Sequence, residues 1–173
     1  MLRSEKMIPG HRDIDRVDAL NERAFPENER RTLGPIIGDN SGAAQCTAFY
    51  DGDEFIGFAC VLCWHDIDHL IYFAVEEDRR AQGFGARILE ELFTPGRRLI
   101  ADLEDDTPGS DDIDMRRRRM GFYCRCGFAK TQVRYRWRGE DYVILSRGGD
   151  ITGREFGDFW RGIEKLNPEM TMY

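Results

Sequence analysis

Hydrophobic and polar positions along the chain switch between a period near 3.6 and a period of 2, the mark of a domain that mixes helices with strands. Over Asp13–Phe25, the residues Ile14, Val17, Leu20 and Ala24 recur near one face and predict a helix stopped by Pro26. A polar, glycine-containing stretch follows to about Ala44. Cys46–Tyr50 and Phe55–Cys63 are β-prone runs on either side of Asp51-Gly52-Asp53, which predicts an antiparallel hairpin. His69–Val75 reads as a further strand, Gly83–Phe93 as a helix with Ile88, Leu89, Leu92 and Phe93 inward, and Arg98–Glu104 as a strand. That β-α-β order makes the two strands parallel, with a right-handed crossover. Loops and the helix N-terminus then gather at the carboxyl end of the first strand, where a site is expected.

Asp112–Cys126 predicts a second helix ended by Gly127. Phe128–Arg138 alternates Val133, Tyr135 and Trp137 against Arg134, Arg136 and Arg138, and Asp141–Ser146 pairs back across Gly139 as a final hairpin. The last element is a helix over Thr152–Leu166, with a Thr152-x-x-Glu155 capping box and a stripe of Phe156, Phe159, Trp160 and Ile163. The stripe suits the chain's own core or a second copy, so a homodimer is an open expectation.

Length and composition narrow the class. At 173 residues with 41% hydrophobic and 33% charged residues, the chain fits one globular domain, 1–173. A net charge of −7 argues against a general nucleic-acid coat and mildly favours a cationic partner. The longest central run without charge or His, Phe55–Trp64, has ten residues, against roughly 20 for a membrane span. Met1–Arg12 is charged and lacks the apolar core of a signal peptide, so a cytoplasmic protein away from membranes is expected. The five cysteines are an odd count and are expected to be reduced; Cys60 and Cys63 would point to opposite faces of a strand, and no metal is expected.

The sharpest chemical signal is Val75-Glu-Glu-Asp-Arg-Arg80-Ala-Gln82-Gly83-Phe-Gly85, a strand passing through a glycine-containing turn into a helix. Backbone N–H groups at the helix start, with Gly83 and Gly85 removing Cβ atoms, form a candidate cradle for a pyrophosphate, and Arg80 adds a charge. A plain turn and helix start fits the same residues. Neither a Gly-Lys-Ser/Thr phosphate loop nor the third glycine of a dinucleotide fingerprint is present.

One element later comes Phe122-Tyr123-x-x-x-Gly127-Phe128. Arg80-x-x-Gly83-x-Gly85 after Phe73-Ala74-Val75, followed by this second motif, is similar to the GNAT superfamily of acyl-CoA-dependent N-acyltransferases over roughly residues 45 to 137. The resemblance implies an α/β fold with a mixed, splayed central sheet, flanking helices and a C-terminal helix. It implies a cofactor core at about 45–137, acceptor-side helices at about 11–40 and a C-terminal hairpin and helix at 128–166. It also implies that acetyl-CoA enters where His69–Val75 and Arg98–Glu104 diverge, next to Phe73, Ala74 and Val75. Arg80, Ala81, Gln82, Gly83, Phe84, Gly85 and Ala86 would surround the pyrophosphate, and Phe122 and Tyr123 would lie at the thioester. Arg116 and Arg119 are placed on the cofactor side by helical spacing from Tyr123; the family often has asparagine where Arg116 stands.

The implied reaction is transfer of an acetyl group to a primary amine, on a small molecule or a peptide, by direct attack in a ternary complex. A tyrosine hydroxyl can protonate the leaving thiolate, and Tyr123 is the candidate acid; a core aromatic is the alternative. The base has three candidates. His69 lies six residues before Val75, where some members carry a glutamate; Glu104 shares a strand face with Asp102 and Ile100; Glu29 follows the first helix in the acceptor region. The run Glu104–Asp114 holds six carboxylates, which suit either attraction of a cationic amine or pairing with the arginines that follow. Two rivals stand beside this reading: a catalytically silent acyl-CoA binder, and a nucleic-acid module built on Arg79, Arg80 and Arg116–Arg119.

Overall fold

In the computed structural model, which describes residues 1–171, the strands are β1 (Leu2–Lys6), β2 (Ala44–Asp51), β3 (Glu54–Trp64), β4 (Ile67–Val75), β5 (Arg98–Glu104), β6 (Ala129–Trp137) and β7 (Glu140–Arg147). They form one sheet in the order β1-β2-β3-β4-β5-β7-β6. Every neighbouring pair is antiparallel except β4 and β5, the parallel pair expected from the β-α-β order. The helices are α1 (Ile14–Ala24), α2 (Gly34–Ile37), α3 (Phe84–Leu92), α4 (Ile113–Arg125) and α5 (Gly153–Leu166).

The predicted elements appear within about two residues of their expected ends, as fraying and capping allow. Two elements escape the pattern. β1 has one large apolar residue, Leu2, and becomes a strand because β2 pairs with it, its Arg3, Glu5 and Lys6 marking a charged sheet edge. α2 is a single turn whose Ile36 and Ile37 are buried inside the stretch that reads as polar.

Two apolar layers enclose the sheet. On one face α1, α2 and α5 bury Val17, Leu20, Ile36, Phe156, Phe159 and Ile163 against Phe58, Tyr72, Ile100 and Ile144. On the other, α3 and α4 bury Phe84, Ile88, Leu89, Met120 and Tyr123 against Leu70, Leu99, Ala101 and Leu103. Cys60 belongs to the first layer and Cys63 packs against the second, as their spacing in a strand requires.

An irregularity in β4 positions the site. Cys60 pairs with Tyr72 but Val61 pairs with Leu70, so Ile71 is an extra residue in the ladder, a β-bulge. The bulge reverses the alternation. Ile67, Tyr72 and Ala74 face the α1/α5 layer, whereas Leu70, Phe73 and Val75 face the α3/α4 layer. Pairing of β4 with β5 stops at the same point, with Leu70 opposite Ala101. Beyond it the strands part, giving the expected splay.

The stripe of α5 closes this chain's own core. Phe159 and Ile163 are fully buried and the capping box is formed, with Thr152 and Glu155 each satisfying the other's backbone N–H. Arg98 fastens the helix start to β5, donating to Glu155 at 2.9 Å and to both oxygens of Asp66. A stripe used in this way is not available to a second copy. Trp64 lies against Gly162, where an added Cβ would come within 2.2 Å of the indole ring. Gly162→Ala should therefore lower stability by about 1–3 kcal/mol, read as a fall of several degrees in Tm, because the ring is part of a packed layer and cannot yield freely.

Candidate active site

The carboxyl end of β4 leads through a 3-10 turn (Glu77–Arg79) into α3. Arg80 Nε donates to the Val75 carbonyl at 3.1 Å and Gln82 Nε2 to the Asp78 carbonyl at 2.8 Å, so both side chains brace the turn. Ala81 has φ +60° and Gly83 φ +80°. Left-handed residues curl a backbone so that successive N–H groups converge, the geometry of an anion-binding nest. For Ala81 this conformation costs on the order of 1–2 kcal/mol, strain of the kind that accumulates at ligand sites.

A Cβ on Gly83 would meet nothing within 4 Å, leaving the backbone open to a ligand. Gly85 differs from expectation. Its Cβ would lie 3.1 Å from the Phe122 ring and 3.7 Å from Phe73, so this glycine packs α3 against α4 rather than opening the cradle. Phe84 is buried in the core, so only its backbone borders the turn, while Ala86 is exposed in the first helical turn. Phe73 and Val75 line the α3/α4 side of the splay, but Ala74 points into the opposite layer and its side chain does not face the cofactor side.

Tyr123 lies in the α3/α4 layer, 7% exposed, edge-on to Phe122 and Phe128. Among the described residues its hydroxyl makes no hydrogen bond. Burial pushes its pKa well up, Arg119 opposes this and Asp102 adds to it. The phenol is therefore fully protonated, a donor with its proton uncommitted.

On the other face Glu104 and Glu29 converge. Glu104 pairs across the ladder with Tyr142, whose hydroxyl donates to Glu29 Oε1 at 2.8 Å. Arg119 reaches Glu104 from α4 at 3.3 Å. Burial raises the pKa of Glu104 above the usual carboxylate value, Arg119 and Arg116 pull it down, and Glu29 pushes it further up. A second tyrosine, Tyr72, donates to the Glu29 carbonyl at 3.0 Å and accepts the Arg31 N–H at 2.9 Å, fixing the loop that carries Glu29.

His69 is not brought to this place. It is 1% exposed, opposite Ile100 in the paired part of the sheet and beneath the rings of Phe156, Phe159 and Trp160. An acceptor amine has no path to its nitrogens in this arrangement. Tyr142, Tyr135 and Asp102 are the members that the sequence reading missed. Strand alternation places Asp102 beside Glu104, and Tyr135 in a row of aromatic residues, so a signal was present.

Arg116 is also displaced from its expected role. It is 8% exposed, and its guanidinium donates to Asp112 at 2.7 Å, to Glu140 at 3.0 Å and to the Asp105 carbonyl at 3.3 Å, clamping α4 to β7 and to the loop after β5. Part of the acidic run is used in the same way: Asp105 pairs with Arg134 at 3.1 Å and Asp106 with Lys130. Arg79 pairs with Glu54, and Arg80 is held by Val75, which leaves few of the arginines of the nucleic-acid rival uncommitted.

The family model for the acetyltransferase (GNAT) domain matches residues 42–130, just over half of the chain. The chain belongs to the GNAT acetyltransferase family. Its sheet, splay and C-terminal helix are those of the GNAT fold. A GNAT-family protein from Bacteroides thetaiotaomicron is 24% identical, with 95% of each chain covered and a TM-score of 0.72. A Bacillus subtilis acetyltransferase in complex with CoA is 17% identical over 88% of this chain and 100% of its own, with a TM-score of 0.57. An aminoglycoside 6'-N-acetyltransferase complexed with coenzyme A is 16% identical over 84% and 96%, with a TM-score of 0.63. No curated protein matches in sequence. Among the described residues no helix is long and apolar enough to cross a membrane. This GNAT chain is thus an acyltransferase by family, and its clamp at Arg116 is architectural. Arg116→Ala should lower stability by about 1–3 kcal/mol in thermal unfolding while leaving the Kd for acetyl-CoA within about twofold.

Proposed function

We propose that the protein is an N-acetyltransferase that moves an acetyl group from acetyl-CoA to a primary amine by direct attack in a ternary complex. The observation that carries this reading is the pair of groups on either side of the splay. A protonated, unbonded tyrosine, Tyr123, lies in one layer, and a carboxylate of raised pKa, Glu104, lies on the other. Environments that push two titratable groups apart divide the acid and base roles between them.

The residues present fit an acyl-CoA. The left-handed pair Ala81 and Gly83 opens backbone N–H groups at the start of α3, with room where a Gly83 side chain would be. These groups, with Arg80 and Gln82 in support, would hold the pyrophosphate, and Phe73 and Val75 would border the arm that enters the splay. Structures of similar fold complexed with CoA support this choice. When bound, acetyl-CoA supplies a thioester carbonyl as the electrophile.

An alkyl ammonium has a pKa of about 10.4 and cannot attack until it loses a proton. Glu104 takes that proton, and Glu29, oriented by Tyr142, supplies a second carboxylate to hold a cationic acceptor on this face. Unpaired backbone of β4 beyond the bulge offers N–H groups to the carbonyl oxygen as charge develops. As the new C–N bond replaces the C–S bond, Tyr123 would give its proton to the departing sulfur and regain one from solvent, while the nitrogen sheds its second proton to solvent. A protein N-terminus, a lysine, a polyamine and an aminoglycoside all satisfy this chemistry.

Thermal unfolding with acetyl-CoA, CoA and ATP tests the cofactor site. Ligand at 100 times its Kd stabilises by about 2.7 kcal/mol, so both CoA species should raise Tm by several degrees and ATP should not. No shift at millimolar acetyl-CoA sinks the reading. With an amine that turns over, Tyr123→Phe should lower kcat by roughly 10²-fold without weakening acetyl-CoA.

Glu104 works as a base only when ionised, and its folded pKa is raised. The kcat/KM of the wild type should therefore climb with pH through a limb above the ordinary carboxylate range, and Glu104→Gln should flatten that limb. A limb that survives the substitution assigns the base elsewhere.

A further inference from the structure

His69 is too buried to meet an acceptor, yet it heads a hydrogen-bonded chain that ends at the splay. Its Nε2 donates to Asp102 Oδ1 at 3.0 Å, and Asp102 Oδ2 accepts the Tyr135 hydroxyl. Asp102 is the first residue of β5 past its last pairing with β4, so its carboxylate sits at the fork of the splay. Tyr135 stacks flat on Tyr142 at 5.2 Å and 10°, and on Phe156 at 5.9 Å and 24°; Tyr142 in turn holds Glu29. Asp102 thus links β4 to β6 directly, and the Tyr135 ring carries the connection on to β7, the loop after α1 and helix α5.

We propose that His69 is a positioning residue for acyl transfer: through Asp102 it keeps a carboxylate charge fixed at the fork, on the wall that the acceptor amine must pass. This rests on the acyltransfer reading above. Two observations separate it from mere packing. The second ring nitrogen, Nδ1, is buried with no hydrogen-bond partner among the described residues, a cost that an apolar side chain in the same aromatic cage would avoid. And Asp102 has its pKa lowered even though burial works the other way, with the His69 charge and hydrogen bond the largest opposing causes and Tyr135 next.

The titratable groups that interact with Asp102 are Tyr72 from β4, Tyr123 from α4, Tyr135 from β6 and Tyr142 from β7, which holds Glu29; Glu104 lies two residues further along β5, and α5 contributes the rings of Phe156, Phe159 and Trp160. With His69 beneath the α5 rings, the ionised Asp102 carboxylate at the fork favours the ammonium as it arrives and the positive charge on nitrogen during attack, alongside Glu29 and Glu104 on the same face. Without His69, the Asp102 carboxyl binds a proton at higher pH, so the charge is lost first on the acid side.

The test uses the full chain with acetyl-CoA and three acceptor probes, n-butylamine, diaminobutane and a lysine-containing tripeptide, and compares wild type with His69→Gln, His69→Leu and Asp102→Asn from pH 6 to pH 9. Thermal unfolding checks that each variant folds, and its shift by acetyl-CoA checks the cofactor site. The quantity read is variant kcat/KM for amine divided by wild-type kcat/KM at the same pH, which cancels the titration of Glu104.

For His69→Leu the ratio should be about tenfold low at pH 6 and rise toward pH 9, with the variant still folded at the assay temperature. His69→Gln, which keeps an N–H donor, should stay within about threefold of wild type, and Asp102→Asn should be low at every pH. A ratio for His69→Leu that does not change with pH, or equal losses in the Gln and Leu variants, overturns the inference and leaves the acyltransfer reading intact. A wild type that acetylates none of the probes although acetyl-CoA raises its Tm refutes both as stated for simple amines.

Discussion

Strand pairing between β4 and β5 can extend only as far as Leu70 and Ala101, because the next residue of β4, Ile71, is bulged out of its ladder with β3. The extra residue bends the strand and leaves the backbone beyond it without a neighbour on the β5 side. In most sheets such a gap would be a fault. Here the two layers of helices hold the open strands apart, α3 and α4 from one side and α1, α2 and α5 from the other. The result is a fork with unpaired backbone on its inner edge and a different set of titratable groups on each face.

The bulge also decides which side chains face which layer. It turns Phe73 and Val75 toward α3, where the nest of Ala81 and Gly83 begins, and sends Tyr72 to the face that carries Glu29 and Glu104. A sheet in regular alternation from His69 onward would have put Phe73 and Val75 on the His69 side and Tyr72 on the helix side. Acid and base candidates are thereby kept in separate electrostatic settings. Tyr123 is surrounded by rings and held protonated, whereas Glu104 is half-buried between a guanidinium and a second carboxylate.

Charge in this chain is mostly spent on architecture. Arg97 and Arg98 grip Asp68 and Asp66 where β4 and β5 begin, and Arg116 locks α4 to β7. Lys130 and Arg134 pair with Asp105 and Asp106, just after β5. Pairs such as these give little stability when exposed, but Arg97 on Asp68 and Arg98 on Asp66 are bidentate and the first is part-buried, which fixes geometry as well as energy. Three carboxylates on the α1/α5 face of the sheet, Glu29, Asp102 and Glu104, have tyrosine, histidine or a single arginine as partners.

The sequence by itself determined the order of elements, the parallel β-α-β unit, the turn from Val75 into α3, the position of Tyr123 on its helix and the capped C-terminal helix. Each of these is written in local periodicity, glycine placement or a short motif, which act within about a dozen residues. It could not decide which of His69, Glu104 and Glu29 share a site, nor that Gly85 and Arg116 serve packing and clamping, nor that the α5 stripe is covered by this chain's own core. Those outcomes turn on contacts between residues far apart in the chain, Glu29 with Tyr142 and Gly162 with Trp64 among them, and on one extra residue in β4 that reverses the strand's faces. A bulge is defined by the pairing of two strands, so only the tertiary structure shows where it falls.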